Sequence, residues 1–147
     1  MAYTPYYPGG WQSGESGGTP ITPAALNNME AGIQQATAIS DVSSGITSST
    51  TYVDTTATVE KISYKCGNIV TFHFTFKALA TSASGQAVFT GLQPAYGNTI
   101  QFTAMNTTTQ KPVEFAVTNS GNLAYWYSNT GFSAGDQIRG SVTYICA

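Results

Sequence analysis

Apolar positions along the chain follow two rhythms, one before about residue 50 and another after it. In the first stretch Leu26, Met29, Ile33 and Ala36 recur three, four and three residues apart. That is the a/d spacing of a coiled-coil seam, kept up for about two heptads. Thr22 can accept a first-turn N–H as the N-cap, and Pro23 suits the first helical position, where no N–H is needed. The pattern predicts an α-helix over about 23–39, roughly 25 Å long at 1.5 Å per residue. A stripe this narrow is suited to meeting copies of itself. A helix this short is marginal alone in water, so either the rest of the chain or symmetry mates have to cover it.

From Thr51 onward, β-branched and aromatic residues alternate with polar ones in short runs between Gly, Asn and Ser clusters. This rhythm predicts strands near 51–58, 60–66, 69–78, 86–92, 99–105, 112–118, 122–128 and 137–146. Val70, Phe72, Phe74 and Phe76 share one face of their run. If Ile62 and Tyr64 join that face, the hairpin needs a three-residue loop, Cys66-Gly67-Asn68, pairing Tyr64 with Val70 and Ile62 with Phe72. Gly67 or Asn68 then takes a positive φ. A second hairpin, Val113 to Tyr127, is predicted to turn at Asn119-Ser120-Gly121-Asn122. An even-length loop there pairs Phe115 with Trp126 and Val117 with Ala124, leaving Glu114, Tyr125 and Tyr127 on the other face. In the last strand Ile138, Val142 and Tyr144 are expected inside, and Arg139, Ser141 and Thr143 outside.

Composition adds three constraints. At 147 residues the chain holds one domain with an appendage, enough to bury a core. We divide it into an extended arm (1–18), a helix with a Ser/Thr-rich connector (19–50) and a β head (51–147). The arm carries Tyr3, Tyr6, Tyr7 and Trp11, more aromatics than a linker needs. It either folds back on the rest of the chain or docks on another protein. Charged residues make up only 8% of the chain, against about 25% in ordinary domains, so Ser, Thr, Asn and Gln have to solvate the surface. A net charge of −2 leaves no electrostatic footprint for nucleic acid or anionic membrane. No apolar run approaches the roughly 18 residues of a membrane span. The N-terminus has neither the basic nor the apolar region of a signal peptide, so neither membrane insertion nor secretion is expected. Cys66 and Cys146 are expected as thiols, with one disulfide as the alternative if their strands are neighbours.

Trp11, the Gly/Ser-rich run after it, and then Thr-Pro-Ile-Thr-Pro-Ala-Ala-Leu-Asn-Asn-Met-Glu-Ala-Gly-Ile carry a resemblance. This stretch, about Trp11 to Ala36, resembles a segment of tail-fibre and baseplate receptor-binding proteins of bacteriophages that infect Gram-positive hosts. Gly32 within the helix, which costs about 1 kcal/mol relative to Ala, is one of the choices that helix propensity alone would not make. The resemblance implies that the segment links virion attachment to a trimeric, β-rich head. The hairpin Tyr64-Lys65-Cys66-Gly67-Asn68-Ile69-Val70, followed by Gly91-Leu92-Gln93-Pro94-Ala95-Tyr96, is also similar to phage fibre heads. There a Gly-Asn hairpin precedes a Leu-Pro-x-Gly-Tyr-like loop. In this chain Gln93 interrupts the Leu-Pro pair and Ala95 stands for the Gly.

Little in the sequence points to catalysis. A lone histidine, His73, falls on the polar face of its strand and excludes multi-histidine metal sites. No Gly-x-Ser-x-Gly elbow supports a serine nucleophile, and no phosphate loop or Cys/His metal spacing is present. The head's acids, Asp54, Glu60, Glu114 and Asp136, are sparse for a glycosidase pair. The better candidate is an aromatic set: Tyr125 and Tyr127, with Glu114 and Asn129 beside them. Sugar rings offer apolar C–H faces and many hydroxyls, so flat aromatics among neutral polar groups suit them. The same tyrosines also suit a subunit interface, where Tyr is enriched for the same amphipathic reason.

The expected protein is mainly β: an antiparallel, jelly-roll-like β-sandwich head after an extended arm and one short oligomerising helix. The expected function is that of a non-enzymatic virion fibre without cofactor or metal, made in the host bacterium's cytoplasm. It is a homotrimer through Leu26, Met29, Ile33 and Ala36. Its arm joins another virion protein, and its head adheres to a host cell-surface glycan through Tyr125, Tyr127, Glu114 and Asn129. The alternative is a capsid-decorating head fibre or baseplate structural protein with no receptor site of its own.

Overall fold

A computed structural model describes residues 23–126 and 131–147. Thr22, the aromatic arm, Tyr127 and Asn129 lie outside the described residues. The chain divides into two compact units at Ala38/Ile39. The first contains α1, Pro23–Thr37. Its last turn is closed by the Thr37 hydroxyl, which donates to the Ile33 carbonyl at 2.9 Å. The helix stops two residues short of the expected end because Ile39 is already the first residue of a strand.

The second unit is mainly β and antiparallel, as expected, with nine strands among the described residues. In chain order they are β1 (Ile39–Asp41), β2 (Thr47–Ser48), β3 (Glu60–Cys66), β4 (Ile69–Lys77), β5 (Ala87–Thr90), β6 (Ile100–Asn106), β7 (Lys111–Val117), β8 (Leu123–Tyr125) and β9 (Gln137–Ile145). They form one sheet in the order β1-β3-β4-β9-β6-β7-β8-β5-β2. The two edge strands are near neighbours in sequence, joined by residues 42–46 with a 3-10 turn at Ser43–Gly45. A flat sheet of this many strands would be roughly 38 Å wide, whereas such a linker reaches roughly 20 Å. The sheet therefore curls over on itself into a sandwich-like fold. Hydrogen bonds hold this stretch at both edges, from the linker on one side and from just past β2 on the other. Val42 N–H donates to the Ser63 carbonyl on β3, and Ser49 N–H to the Val88 carbonyl on β5, both at 2.8 Å.

The inner face is filled by phenylalanine. All seven Phe residues of the chain join one network of ring contacts, centred on Phe74, Phe76 and Phe115. Strand β4 supplies three of them from alternate positions, as its period of two predicts, and β9 turns Ile138, Val142 and Tyr144 inward as expected. Gly140 on β9 pairs with Phe74. A Cβ there would lie 2.5 Å from the Phe74 ring, so the missing side chain is what lets the ring rest against the backbone.

Four expectations are corrected. The first hairpin has a two-residue loop, Gly67-Asn68, with Cys66 opposite Ile69 and Ser63 opposite Phe72. Gly67 takes the positive φ, 56°, at the first central position, which matches the twist of the paired strands. Ile62 and Tyr64 consequently point outward and are exposed. The inner face of β3 instead carries Lys61, Ser63 and Lys65, because polar chain segments cover it there. Lys61 Nζ donates to the Ile46 carbonyl, Ser63 N–H donates to Ser43 Oγ at 2.8 Å, and Lys65 Nζ reaches Gln93 Oε1.

The second hairpin is shifted by one. Phe115 pairs with Tyr125 and Val117 with Leu123, which buries Leu123 and Tyr125 on the core side. The Ser/Thr-rich connector is also reassigned: part of it supplies β1 and β2, so the β unit starts at Ile39 and not at 51. Finally, 51–58 makes turns and one isolated bridge, Val53 to Ala78, in place of a strand. Asp54 Oδ1 accepts from both the N–H and the hydroxyl of Thr56. Such local bonds compete with a ladder, and they also hold the Asp54 carboxyl below its ordinary pKa.

Candidate functional site

Register across β3, β4 and β9 sorts their outward side chains into rows. One row is Glu60, Thr75 and Arg139, and the next is Ile62, His73 and Ser141. Between these rows lies a hollow of about 340 Å³, backed by Phe74 and Gly140. A second hollow of about 310 Å³ shares Glu60, Thr75 and Arg139 and continues to Thr107 and Gln137. Together they make a polar groove across the three strands. Its far wall is fixed by Thr107 Oγ1 donating to the Gln137 carbonyl at 3.0 Å and by Gln137 N–H donating to Thr108 Oγ1 at 2.9 Å.

The groove's ionic groups are uncommitted. Among the described residues the one ion pair is Lys77 with Asp54, at 3.8 Å. Glu60 and Arg139 occupy the same row without bridging, so a carboxylate, a guanidinium, three hydroxyls and an amide all face solvent with capacity to spare. Ile62 adds an apolar wall. Such a groove can hold a polyhydroxylated ligand by hydrogen bonds on a mostly neutral surface. Its size falls at the lower end of small-ligand sites. Among the described residues no three His, Cys, Asp or Glu side chains gather to hold a metal.

The aromatic set expected from the sequence is not assembled as expected. Tyr125 is 5% exposed and stacks edge-on against Phe115 and Phe132. The one-residue register shift that buries Leu123 carries it into the core. Glu114 remains outside, and its carbonyl accepts from Trp126 N–H at 2.9 Å. Glu114 and Tyr125 therefore belong to opposite faces of the sheet. Neither Tyr127 nor Asn129 is among the described residues. On α1, Leu26, Met29 and Ile33 are exposed, and Met29, Gly32, Ile33 and Ala36 line an apolar groove.

The sequence placed His73, Arg139 and Ser141 outward but gave no sign that they meet Glu60 and Thr75. That meeting depends on β9 lying beside β4, and pairing between strands distant in sequence leaves no local signal.

The same outer face changes character at its other end. Ile39, Cys66, Ile69 and Ile145 form a row across β1, β3, β4 and β9, and all four are exposed. Both cysteines are thiols, Cys66 exposed and Cys146 buried.

No protein family matches the chain, and no curated protein does. Among solved structures it is similar to the receptor binding protein gp15 of Listeria phage PSA. The likeness covers 92% of this chain and 82% of that one, with a TM-score of 0.53 and 12% sequence identity. The two chains share a fold. At that identity the likeness extends to architecture and not to individual site residues.

Proposed function

We propose that this protein is a virion component that attaches a bacteriophage to its host: a trimeric, non-enzymatic fibre whose β unit adheres to a cell-surface glycan. The observation that carries the reading is the shared architecture with a phage receptor binding protein over nearly the whole chain. The polar groove is the site that best suits such a ligand, since it combines neutral hydroxyls, an amide and one charge of each sign beside an apolar wall. The arm, residues 1–18, joins the fibre to another virion protein.

A pull-down on host cell walls tests the reading. Wild-type protein is expected to bind, and Arg139→Ala and the double variant Glu60→Gln/Thr75→Ala to lose at least tenfold in affinity with unchanged melting temperature. Glu114→Gln, on another part of the outer face, should bind as wild type. Wild-type protein that does not bind would favour a capsid-decorating or baseplate protein. The exposed Ile39, Cys66, Ile69 and Ile145 row would serve such a role as a protein contact.

A further inference from the structure

The two hollows of the polar groove meet along one row of side chains, Glu60, Thr75 and Arg139, which lines both. On one side of the row the hollow is backed by Phe74 and Gly140, with Ile62, His73 and Ser141 around it. On the other side Thr107 and Gln137 take over. A ligand that fills both hollows has to cross the row, so it consists of at least two linked units whose junction lies over Thr75. The ends of the row carry opposite charges. Glu60 is on β3 and Arg139 on β9, with β4 between them, which sets their Cα atoms roughly 10 Å apart. Both are exposed, and they form no ion pair with each other.

Elsewhere among the described residues of the β unit, charge is mostly answered from within. Asp54 pairs with Lys77, Asp41 accepts from Ser43 N–H, and Asp136 accepts from Asn106 and from Ser133 N–H. Lys61 and Lys65 donate to the Ile46 carbonyl and to Gln93. Lys111 and Glu114 are the other exceptions, and they line neither hollow. A neutral ligand laid over the row would strip water from a carboxylate and a guanidinium and return no opposite charge. A ligand of single charge would answer one of them and leave the other. An ammonium toward Glu60 and an anionic group toward Arg139 answer both, each through a charge-assisted hydrogen bond. The guanidinium fork suits the anion, and the carboxylate, an acceptor only, suits the ammonium. We infer that the groove takes a zwitterionic glycan segment of two linked units, its amino group at Glu60 and its anionic group at Arg139. The inference rests on the adhesive reading of the groove and narrows its ligand.

Binding of the full-length protein to host cell walls tests it, with removal of each charge compared against its reversal. Glu60→Gln and Arg139→Gln take a partner away from the ligand, whereas Glu60→Lys and Arg139→Glu set a like charge against it. With a zwitterionic ligand each reversal should bind at least about fivefold more weakly than the matching removal, at an unchanged melting temperature. Reversal and removal that bind alike at both positions would mean a ligand neutral there and would overturn the inference. A difference at one position alone would mean a ligand of single charge and would overturn it too. Walls treated with acetic anhydride, which turns free amines into neutral amides, give a second readout that needs no variant to fold. The wild type should lose affinity for treated walls, whereas Glu60→Gln, which no longer meets the amine, should bind treated and untreated walls equally. An equal loss in Glu60→Gln would place the amine elsewhere and count against the inference. Wild-type binding that the treatment leaves unchanged would overturn it while adhesion through the groove still stood. A wild-type chain that fails to bind untreated walls would remove the adhesive reading, and this inference with it.

Discussion

Gly140 and Phe74 show how a single missing side chain shapes the core. Because a Cβ at 140 would sit inside the van der Waals envelope of the Phe74 ring and 2.9 Å from Ala104 Cβ, substitution has to displace a ring that is fully buried. Overpacking of this kind costs about 1–3 kcal/mol. Gly140→Ala is expected to lower the unfolding free energy by that amount, measured by urea titration, while Ser141→Ala, next along the strand but facing outward, should leave it within about 0.5 kcal/mol. Tyr125 makes a second point at this scale. Its aromatic chemistry is what a sugar site wants, yet those properties equally suit a core already rich in rings. Composition could not separate the two uses. One residue of register did.

At the scale of elements, what was legible depended on what covers each strand. β4 and β9 are read correctly because their inner faces meet other side chains, so apolar and polar residues alternate as burial demands. β3 is misread because linker backbone and Gln93 cover it, and a lysine amine can meet the carbonyls there where an isoleucine could not. The sequence pattern there reports the covering layer, which lies elsewhere in the chain. The same reasoning makes the Ser/Thr-rich segment part of the fold: its turn caps β3 and its two short strands close both edges. A chain of residues 39–147 should thus unfold in one cooperative transition, followed by circular dichroism. A chain starting at 51 should not, because Lys61 and Ser63 would lose their partners in the linker and both edges their outer strands. Cooperative melting of the shorter chain at an unchanged midpoint would show that the linker is dispensable.

At the scale of the whole molecule, few charges leave few handles for pH, and one lies far from neutrality. Tyr144 is held in the core with its hydroxyl donating to the Gln93 carbonyl at 2.7 Å. Burial, with a smaller contribution from Cys146 beside it, pushes its pKa up to about 12. Between the ordinary tyrosine value near 10 and that raised value, the folded chain keeps a proton that the unfolded chain has released. Stability therefore falls as pH rises through this window. Urea midpoints measured from pH 9 to 11.5 should drop, and in Tyr144→Phe the drop should be shallower, from a lower starting stability because Gln93 loses its donor. The candidate groove belongs to this scale too. His73, Arg139 and Ser141 were correctly expected outside and Ile62 was not, but the site exists only where three strands from separate parts of the chain lie side by side.

The place of β9 has a consequence for how the protein is made. This strand, ending at Ile145, lies in the middle of the sheet between β4 and β6. Until residue 145 has left the ribosome, the nascent chain therefore holds two partial sheets, each with a long unpaired edge open to other strands. Closure joins residues far apart in sequence, which makes folding slower than in a fold built from local contacts. Chains with open partial sheets are prone to pair with one another, so on recombinant expression the soluble yield should rise at lower temperature, where such chains accumulate more slowly.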